Sequence, residues 1–205
     1  TRGNMGVIAA GTGLGEAFLG WDGKAYRPFP SEGGHTEFGP RNDTESRLLE
    51  YLREQFSHVS YERVVSGPGL LNVYRFFRKT ENTPEPGWLT ERLKKEDPPT
   101  VITETALEGK DEVCGKALDL FISVYGAEAG NLALKVLATG GIYIAGGIAP
   151  MIREELADGG VLKAFRDKGR YEALLKDIPV RVVLNKQTPL TGAARYALQQ
   201  TELSS

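Results

Sequence analysis

Two polar side chains that could bind a ligand together, Glu32 and His35, lie in the stretch SEGGHTEFGP, residues 31–40. Only Gly33 and Gly34 separate them, and His35 is one of two histidines in the chain. Carboxylate and imidazole groups can hydrogen-bond a polar ligand from the floor of a pocket. A packed core is not expected to hold either group without a partner. The alternative interpretation is a tight loop with incidental polar side chains.

A glycine-rich motif, GTGLG at residues 11–15, follows a short apolar run. A dinucleotide-binding fingerprint needs a helix directly after its glycines, whereas the residues after Gly15 predict a hairpin. A Walker motif is excluded because the chain contains no Gly-Lys-Ser or Gly-Lys-Thr. Two interpretations remain: a plain tight turn, or a turn that aims backbone N–H groups and the Thr12 hydroxyl at a phosphate.

A second glycine motif, AGGIAP at residues 145–150, ends another apolar run. We predict a buried strand that ends at Gly146 and Gly147, and a helix that begins near Pro150, because proline is favoured in the first helical turn. Glycines allow a flat ligand to approach the backbone closely. The alternative is a strand-to-helix connection that needs unusual dihedral angles.

The elements that must position these motifs follow from the spacing of apolar residues. Residues 5–10 predict a buried strand, and Asp22-Gly23 between two further short strands predicts a hairpin. Later strands are predicted to end at Ser66 and to lie within residues 140–150 and 178–184. Helices are predicted over residues 44–57, from about Leu70, over 111–137 and over 190–201. This order predicts an α/β domain with a mixed sheet flanked by helices.

Composition excludes several classes of function. The chain has 205 residues, of which 40% are hydrophobic and 25% charged, which fits one globular domain. A net charge of −2 does not favour nucleic-acid binding, and no apolar stretch approaches the length of a membrane span. The single cysteine, Cys114, excludes an internal disulfide and a multi-cysteine zinc site. Its apolar neighbours at helical spacing predict a small core residue.

Four motifs in this order, AGTGLGEA, EGGHTEFGP, ERVVSGPGL and IAGGIAP, resemble the bacterial glucokinase family over essentially the whole chain. The combination of EGGH with SGPGL is specific. The family belongs to the superfamily of sugar kinases, actin and heat-shock chaperone ATPases. The resemblance therefore implies a ribonuclease-H-like fold and ATP-dependent phosphorylation of glucose.

For the sugar, the resemblance implies roles for Glu32 and His35, which would bind its hydroxyl groups. Glu62 would add a third polar contact, and Gly13 would lend a backbone group. Hydroxyl groups both donate and accept hydrogen bonds, so carboxylates and an imidazole are suitable partners. His58, the second histidine, lies near a predicted helix end and is interpreted as structural.

For the nucleotide, the resemblance implies that Gly11, Thr12 and Gly13 hold the phosphates of ATP. Gly146 and Gly147 would lie against adenosine. Mg²⁺ would bridge the phosphates, and no protein metal ligand is predicted.

The sequence departs from the family in one respect. The family's smaller domain carries an Asp-x-Gly-Gly-Thr phosphate loop and an Asn-Asp pair whose aspartate is the catalytic base, and neither is found here. Asn42-Asp43 follows a different context and is predicted to cap a helix. We expect residues 1–205 to be a glucokinase large, C-terminal domain without the small N-terminal domain. Residues from about 185 to 205 are expected to pack against that missing domain.

The resemblance implies that the intact enzyme is a cytoplasmic glucokinase and a homodimer, with glucose as its substrate. The chain would supply sugar- and nucleotide-binding elements but no catalytic base. The alternative is a non-catalytic sugar-binding or regulatory module of the same fold. A zinc-containing kinase of N-acetylated sugars is disfavoured because only one cysteine is present.

Overall fold

The structure, a computed structural model, describes residues 2–203 and the side chains of residues 2–198, so Thr1 and residues 204–205 lie outside it. Within this range five strands form one sheet with the order β3-β2-β1-β4-β5. The strands are β1 (Met5–Ala10), β2 (Leu14–Trp21), β3 (Tyr26–Ser31), β4 (Gly141–Ala145) and β5 (Val180–Val182).

The sheet is mixed, as predicted. β1 pairs antiparallel with β2, and β2 pairs antiparallel with β3 across the predicted Asp22-Gly23 turn. Gly23 adopts φ +96°, and Asp22 Oδ1 accepts hydrogen bonds from two backbone N–H groups in this turn. β4 is parallel to both β1 and β5. The carboxyl ends of β1 and β4 therefore meet at one edge of the sheet, which is where both glycine motifs lie.

Helices pack on one face of the sheet and form a second layer there. Their bounds are α1 (Asp43–Arg53), α2 (Gly67–Thr80), α3 (Gly87–Lys95), α4 (Pro98–Leu107), α5 (Glu112–Lys135), α6 (Arg153–Ala157), α7 (Gly160–Arg166), α8 (Glu172–Asp177) and α9 (Thr188–Leu203). Single 3₁₀ turns cover Gly33–His35, Tyr61–Arg63 and Gly169–Tyr171.

Helix α5 is the central helix and packs against β1. Tyr125 lies in its middle, fully buried, and its hydroxyl accepts a 3.1 Å hydrogen bond from Ala10 N. The same oxygen lies 3.1 Å from the carbonyl oxygens of Ile8 and Ala145, so the hydroxyl hydrogen is donated to β1 or β4. Burial raises the pKa of Tyr125 well above its ordinary value, which keeps this hydroxyl protonated. This side chain fixes α5 beneath the edge that carries the glycine turns.

Two glycines in α5 serve packing and leave the helix unbroken. A β-carbon at Gly126 would overlap the backbone of Val161, and one at Gly130 would approach Phe165 O to 2.5 Å. The glycines therefore allow α7 to approach α5 closely. Cys114, in the first turn of α5, is fully buried, as its apolar neighbours predict.

Three local predictions are wrong. No strand ends at Ser66, because Tyr61–Arg63 forms a 3₁₀ turn, and only an isolated bridge joins Ser60 to Glu37. Helix α2 begins at Gly67 and not near Leu70, since Ser66 Oγ accepts a 2.9 Å hydrogen bond from Gly69 N as a helix cap. The helix expected near Pro150 begins at Arg153, after a turn.

The last described helix lies largely in solvent. In α9, Leu190 is 69% exposed and Leu198 67% exposed. An apolar side chain that is left this exposed marks a surface that another structure can cover. The structure that covers α9 stays a prediction, and residues 204–205 of the segment expected to pack against the smaller domain lie outside the described residues. No helix within residues 2–203 has the length and apolar character that crossing a membrane requires.

Candidate functional site

The turn between β1 and β2 is the centre of the candidate site. Gly11 N donates to Gly13 O at 2.9 Å, which closes the turn on itself. Gly67 N, at the start of α2, donates to Gly11 O at 2.7 Å and fixes the helix against the turn. Thr12 is exposed, so its hydroxyl and the neighbouring backbone can be reached from solvent.

Glu62 packs directly on this turn, although 48 residues separate it from Leu14. Its Oε2 accepts a 2.9 Å hydrogen bond from Leu14 N. A β-carbon at Gly13 would lie 2.6 Å from the same oxygen, so a side chain there would require the Glu62 carboxylate to move. The 3₁₀ turn Tyr61–Arg63 and the hydrogen bond from Ser66 Oγ to Glu62 O (2.7 Å) hold the backbone of Glu62 in this position.

The two glycines of EGGH lie against β2. A β-carbon at Gly34 would overlap Leu14 O, and one at Gly33 would overlap the carboxyl group of Glu16. A side chain at Gly34 would displace the loop from the strand because it meets backbone, whereas one at Gly33 would have to displace the Glu16 carboxyl group. The backbone of Gly33 and Gly34 therefore packs closely on β2 and places Glu32 and His35 near the start of this strand.

The side chains of Glu32 and His35 both face solvent. They are 92% and 58% exposed, with Glu32 Oε2 4.0 Å from His35 Nε2. His58 bonds the loop through its Nε2, which lies 2.8 Å from His35 O, and this is a structural contact of the kind predicted for it. Tyr61 N donates to Thr36 O at 3.0 Å. The EGGH loop is thus joined to the segment that carries Glu62.

These contacts bring the EGGH loop and Glu62 to one end of β2, with the backbone of Leu14 between them. The loop covers Leu14 O, and Glu62 accepts from Leu14 N. The binding of one sugar by Glu32, His35 and Glu62 together stays a prediction.

A buried acidic pair beneath the loop is absent from the sequence-based predictions. Glu16, on β2, is 6% exposed, and Glu128, on α5, is fully buried. Burial, followed by the neighbouring Glu128 charge, raises the pKa of Glu16 to about 7. Strand alternation was the available signal, because Glu16 lies two residues after the buried Leu14 and so shares its inward face.

A cavity of about 390 Å³ opens on the other side of the Gly11–Gly13 turn. Its lining includes the turn and the first residues of two helices: Gly11, Thr12, Gly67 and Pro68 of α2, Pro98, Pro99 and Thr100 of α4, with Ile148 and Met151 opposite. The N-terminus of a helix of this length carries a partial positive charge. Its N–H groups already have partners here, since Gly67 N donates to Gly11 O and Thr100 N to the Asp97 carboxylate, and the prolines have no N–H group. The dipoles of two helices that begin at one cavity favour an anionic ligand there, whereas the carboxylate of Asp97, which also lines the cavity, opposes one.

The second glycine motif, AGGIAP, lies at the same edge of the sheet as the Gly11–Gly13 turn, but its two glycines line a different cavity. Gly146 adopts φ +89° with no room for a β-carbon above Ala10 O, which requires glycine at this position. Gly146 and Gly147 line a larger groove of about 790 Å³ on the other face of the sheet. Ile148, the next residue, lines the 390 Å³ cavity. The predicted contact of Gly146 and Gly147 with adenosine stays a prediction.

Asn42 is a helix cap, as predicted. Its Oδ1 accepts from Glu45 N at 3.0 Å at the start of α1. Among the described residues, no three His, Cys, Asp or Glu side chains come close enough to hold a metal ion.

A family model described as Glucokinase matches residues 1–200. The chain belongs to the glucokinase family. The glucokinase of Nostoc punctiforme is 47% identical over 206 residues, which cover 94% of this chain and 60% of that protein. The glucokinase of Synechocystis is 44% identical over 211 residues, covering 96% of this chain and 59% of that protein. The chain thus spans about 60% of the length of the curated relatives it matches.

Solved structures agree with this family assignment. A glucokinase from an Antarctic psychrotroph superposes with a TM-score of 0.81 at 32% identity, covering 94% of this chain and 57% of that chain. The glucokinase of Balamuthia mandrillaris, solved with glucose, gives 0.73 at 27% identity, covering 87% and 49%. A glucokinase of the ROK family from Streptomyces griseus shows the same fold at 23% identity, with a TM-score of 0.65 over 96% of this chain and 61% of that one. The predicted ribonuclease-H-like, actin-like ATPase fold is confirmed.

Proposed function

We propose that this chain provides the glucose- and ATP-binding elements of a glucokinase, which transfers the γ-phosphoryl group of ATP to the 6-hydroxyl of glucose. One observation carries the proposal. A single turn, Gly11–Leu14, has Glu62 and the EGGH loop on one side and the cavity at two helix N-termini on the other. A sugar and a nucleotide bound on the two sides would meet at this turn. Two similar structures support the pairing, since one was solved with glucose and the other with glucose and AMPPNP.

On the sugar side, Glu32, His35 and Glu62 would bind hydroxyl groups. Glu32 and His35 are exposed, with Glu32 Oε2 4.0 Å from His35 Nε2, so a ligand can reach both functional groups. Glu62 Oε2 already accepts from Leu14 N, which orients the carboxylate and leaves Oε1 for a sugar hydroxyl. Gly13 would allow the sugar ring to approach the backbone at the turn.

On the nucleotide side, the Thr12 hydroxyl and the backbone of Gly11 and Gly13 would hold the phosphates, and Gly146 with Gly147 would lie against adenosine. The N-terminus of α2, bonded to Gly11 through Gly67 N, adds a favourable potential for a phosphate at the turn. Mg²⁺ would be bound by phosphate oxygens of the nucleotide, as the family resemblance implies. When bound, it neutralises charge on the phosphates.

We propose further that residues 1–205 correspond to the large, C-terminal domain of the enzyme and that residues from about 185 pack against the smaller domain. The span of about 60% of its relatives and the exposed Leu190 and Leu198 of α9 support this division. The aspartate that takes the proton of the 6-hydroxyl would then lie in the smaller domain. For the intact enzyme we expect a cytoplasmic homodimer that acts in glycolysis.

The test is a titration of the 205-residue chain with glucose and with each monodeoxyglucose, followed by calorimetry or by NMR shifts of His35. We expect weak binding of glucose and weaker binding of those analogues that lack a paired hydroxyl, since an unpaired polar group in the site is costly. Equal binding of glucose and every monodeoxyglucose, or no binding of any, would overturn the sugar assignment. A parallel titration with AMPPNP tests the nucleotide side.

A further inference from the structure

The carboxyl group of Glu16 is held in an environment that suits its neutral form. The side chain is 6% exposed, and its Oε1 is buried with no hydrogen-bond partner among the described residues. A buried carboxylate oxygen that no donor reaches is costly, whereas a protonated carboxyl can donate its own hydrogen to an acceptor. The acceptor within reach is the carboxyl group of Glu128.

Glu128 is already paired on both oxygens. Its Oε1 accepts from Lys135 Nζ at 3.0 Å, and its Oε2 accepts from Asn131 Nδ2 at 2.7 Å. These contacts stabilise the charged form of Glu128, so the proton of the pair resides on Glu16. The charge of the Lys135 ammonium group then balances that of the Glu128 carboxylate, while the Glu16 carboxyl group is neutral.

The groups that face the pair come from three elements. Glu128 and Lys135 lie on α5, and the Tyr61 hydroxyl comes from the 3₁₀ turn beside Glu62. Lys168 lies farther out, donating to Asn131 Oδ1 at 2.7 Å and to Ala127 O at 3.0 Å. Burial raises the pKa of Tyr61 to about 12 and lowers that of Lys168. The pKa of Glu16, about 7, lies in the neutral range.

The pair lies directly beneath the EGGH loop. Glu16 Oε2 occupies the space that a side chain at Gly33 would need. Gly33 O in turn accepts from Thr36 N at 3.0 Å, and Thr36 O accepts from Tyr61 N at 3.0 Å. On the other side, Asn131 Nδ2 lies 3.1 Å from the Tyr61 hydroxyl and thereby links Glu128 to the same turn. The Glu16 carboxyl group therefore packs against the backbone of Gly33 in the EGGH loop.

We propose that Glu16 is a positioning residue for the EGGH loop. Its protonated carboxyl group donates to Glu128, and this hydrogen bond keeps Gly33 and Gly34 packed against β2. Loss of the Glu16 proton places two buried carboxylates beside one ammonium group. Their repulsion displaces the Gly33-Gly34 backbone, which carries Glu32 and His35 on either side. The proposal rests on the proposed sugar site. It predicts that glucose binding weakens as pH rises through neutrality.

The test compares the 205-residue chain with Glu16→Gln, whose amide can donate to Glu128 at every pH. Glucose affinity is measured from pH 6 to pH 8.5, together with hydrogen-exchange protection of the His35 and Thr36 amides. Wild-type affinity is expected to fall about thirtyfold over this range, as loss of one required proton with a pKa of about 7 implies. In Glu16→Gln we expect the affinity at pH 6 to persist to pH 8.5. Glu50→Gln, an exposed residue of α1, serves as the matched control and should follow the wild type.

A second variant keeps the test independent of whether Glu16→Gln folds. Glu128→Gln removes the neighbouring charge, so the transition in loop protection should move to lower pH. The positioning role is overturned if glucose affinity in Glu16→Gln falls with pH as in the wild type, or if the transition in loop protection of Glu128→Gln lies at the wild-type pH. It is also overturned if loop protection in the wild type does not change with pH. If no variant binds glucose but protection changes with pH as described, the positioning role stands and the proposed sugar site fails.

Discussion

Leu14 N donates a 2.9 Å hydrogen bond to Glu62 Oε2, and the carbonyl oxygen of the same residue lies under Gly34. One peptide segment at the start of β2 therefore orients a carboxylate on one side and supports the EGGH loop on the other. Leu14 itself is buried at 5% exposure, which fixes this segment to the core. The geometry of the candidate sugar site thus depends on the same strand that closes the Gly11–Gly13 turn.

Glu62→Gln should weaken glucose binding while the fold is kept. The amide oxygen can still accept from Leu14 N, but a neutral acceptor forms a weaker hydrogen bond with a sugar hydroxyl than a carboxylate does. We expect an affinity loss of about tenfold, from the difference between charged and neutral hydrogen bonds. Calorimetric titration with glucose measures it, and Glu50→Gln is the control. Unchanged affinity in Glu62→Gln would exclude this carboxylate from the sugar site.

Gly34→Ala should destabilise the chain because the new β-carbon would overlap Leu14 O, a backbone atom that cannot rotate away. We expect a loss of about 2 kcal/mol in the free energy of unfolding, typical of overpacking a tight contact. Gly115→Ala is the control, since its β-carbon meets no atom within 4 Å and an alanine favours helix α5. Thermal unfolding of both variants gives the comparison. Equal melting temperatures would show that the loop does not lie on β2.

Much of the fold could be predicted from the sequence because its signals are local. Periodic apolar residues and the Asp22-Gly23 turn indicated β1, β2, β3 and the long helix α5. Helix α4 (Pro98–Leu107) was not predicted, because consecutive prolines such as Pro98 and Pro99 are a common loop signal. Both lie in its first turn, where proline is tolerated, and Asp97 caps the helix by accepting from Thr100 N at 3.1 Å.

The candidate site was predictable where motifs carry it and not where distant residues meet. The family resemblance pointed to Glu32, His35 and Glu62, each within a recognisable motif. The pairing of Glu16 with Glu128 joins residues 112 positions apart, on β2 and α5, and no local pattern encodes which acid a buried acid will face. The same limit applies to the cavity between α2 and α4, which depends on how a predicted and an unpredicted helix pack.

The stability of the chain should respond to the protonation of Glu16. The pKa of Glu16 is raised from 4.5 to about 7 in the folded state, so the native chain binds the proton more tightly than the unfolded chain. Its contribution to stability is therefore present below about pH 4.5 and is lost as pH rises to about 7. The full difference would correspond to roughly 3 kcal/mol, and partial solvation of the site reduces it to about 2 kcal/mol.

Denaturant unfolding of the wild type and Glu16→Gln at several pH values isolates this contribution from that of the other acids. Carboxyl groups with lowered pKa, such as Asp111 beside Arg78, act in the opposite direction and are common to both proteins. The difference in unfolding free energy should thus shift in favour of Glu16→Gln between pH 4.5 and pH 8. A difference that stays constant over this range would contradict a protonated Glu16.

Thr12→Val should weaken nucleotide binding without affecting stability. Thr12 is exposed in the Gly11–Gly13 turn, so the substitution removes only the hydroxyl that is proposed to contact a phosphate. Loss of a hydrogen bond to a charged group predicts an affinity for AMPPNP that is about tenfold lower. Thr83→Val, in an exposed loop, is the control. If both variants bind AMPPNP like the wild type, the phosphates do not contact this hydroxyl.

The 205-residue chain alone should have negligible glucokinase activity even where it binds glucose. In the proposed division of the enzyme, the catalytic aspartate and half of the phosphate-binding elements lie in the smaller domain. General-base catalysis contributes about 10²–10⁴-fold, and precise positioning of the two substrates can contribute roughly 7–11 kcal/mol. A single domain also cannot close over the substrates to exclude water.

A coupled glucose 6-phosphate assay should compare this chain with the full-length glucokinase of Nostoc punctiforme, to which it is 47% identical. We expect turnover below about one hundredth of that enzyme's, as loss of the base alone implies. Comparable turnover would mean that a residue within these 205 acts as the base, and the proposed division would be wrong.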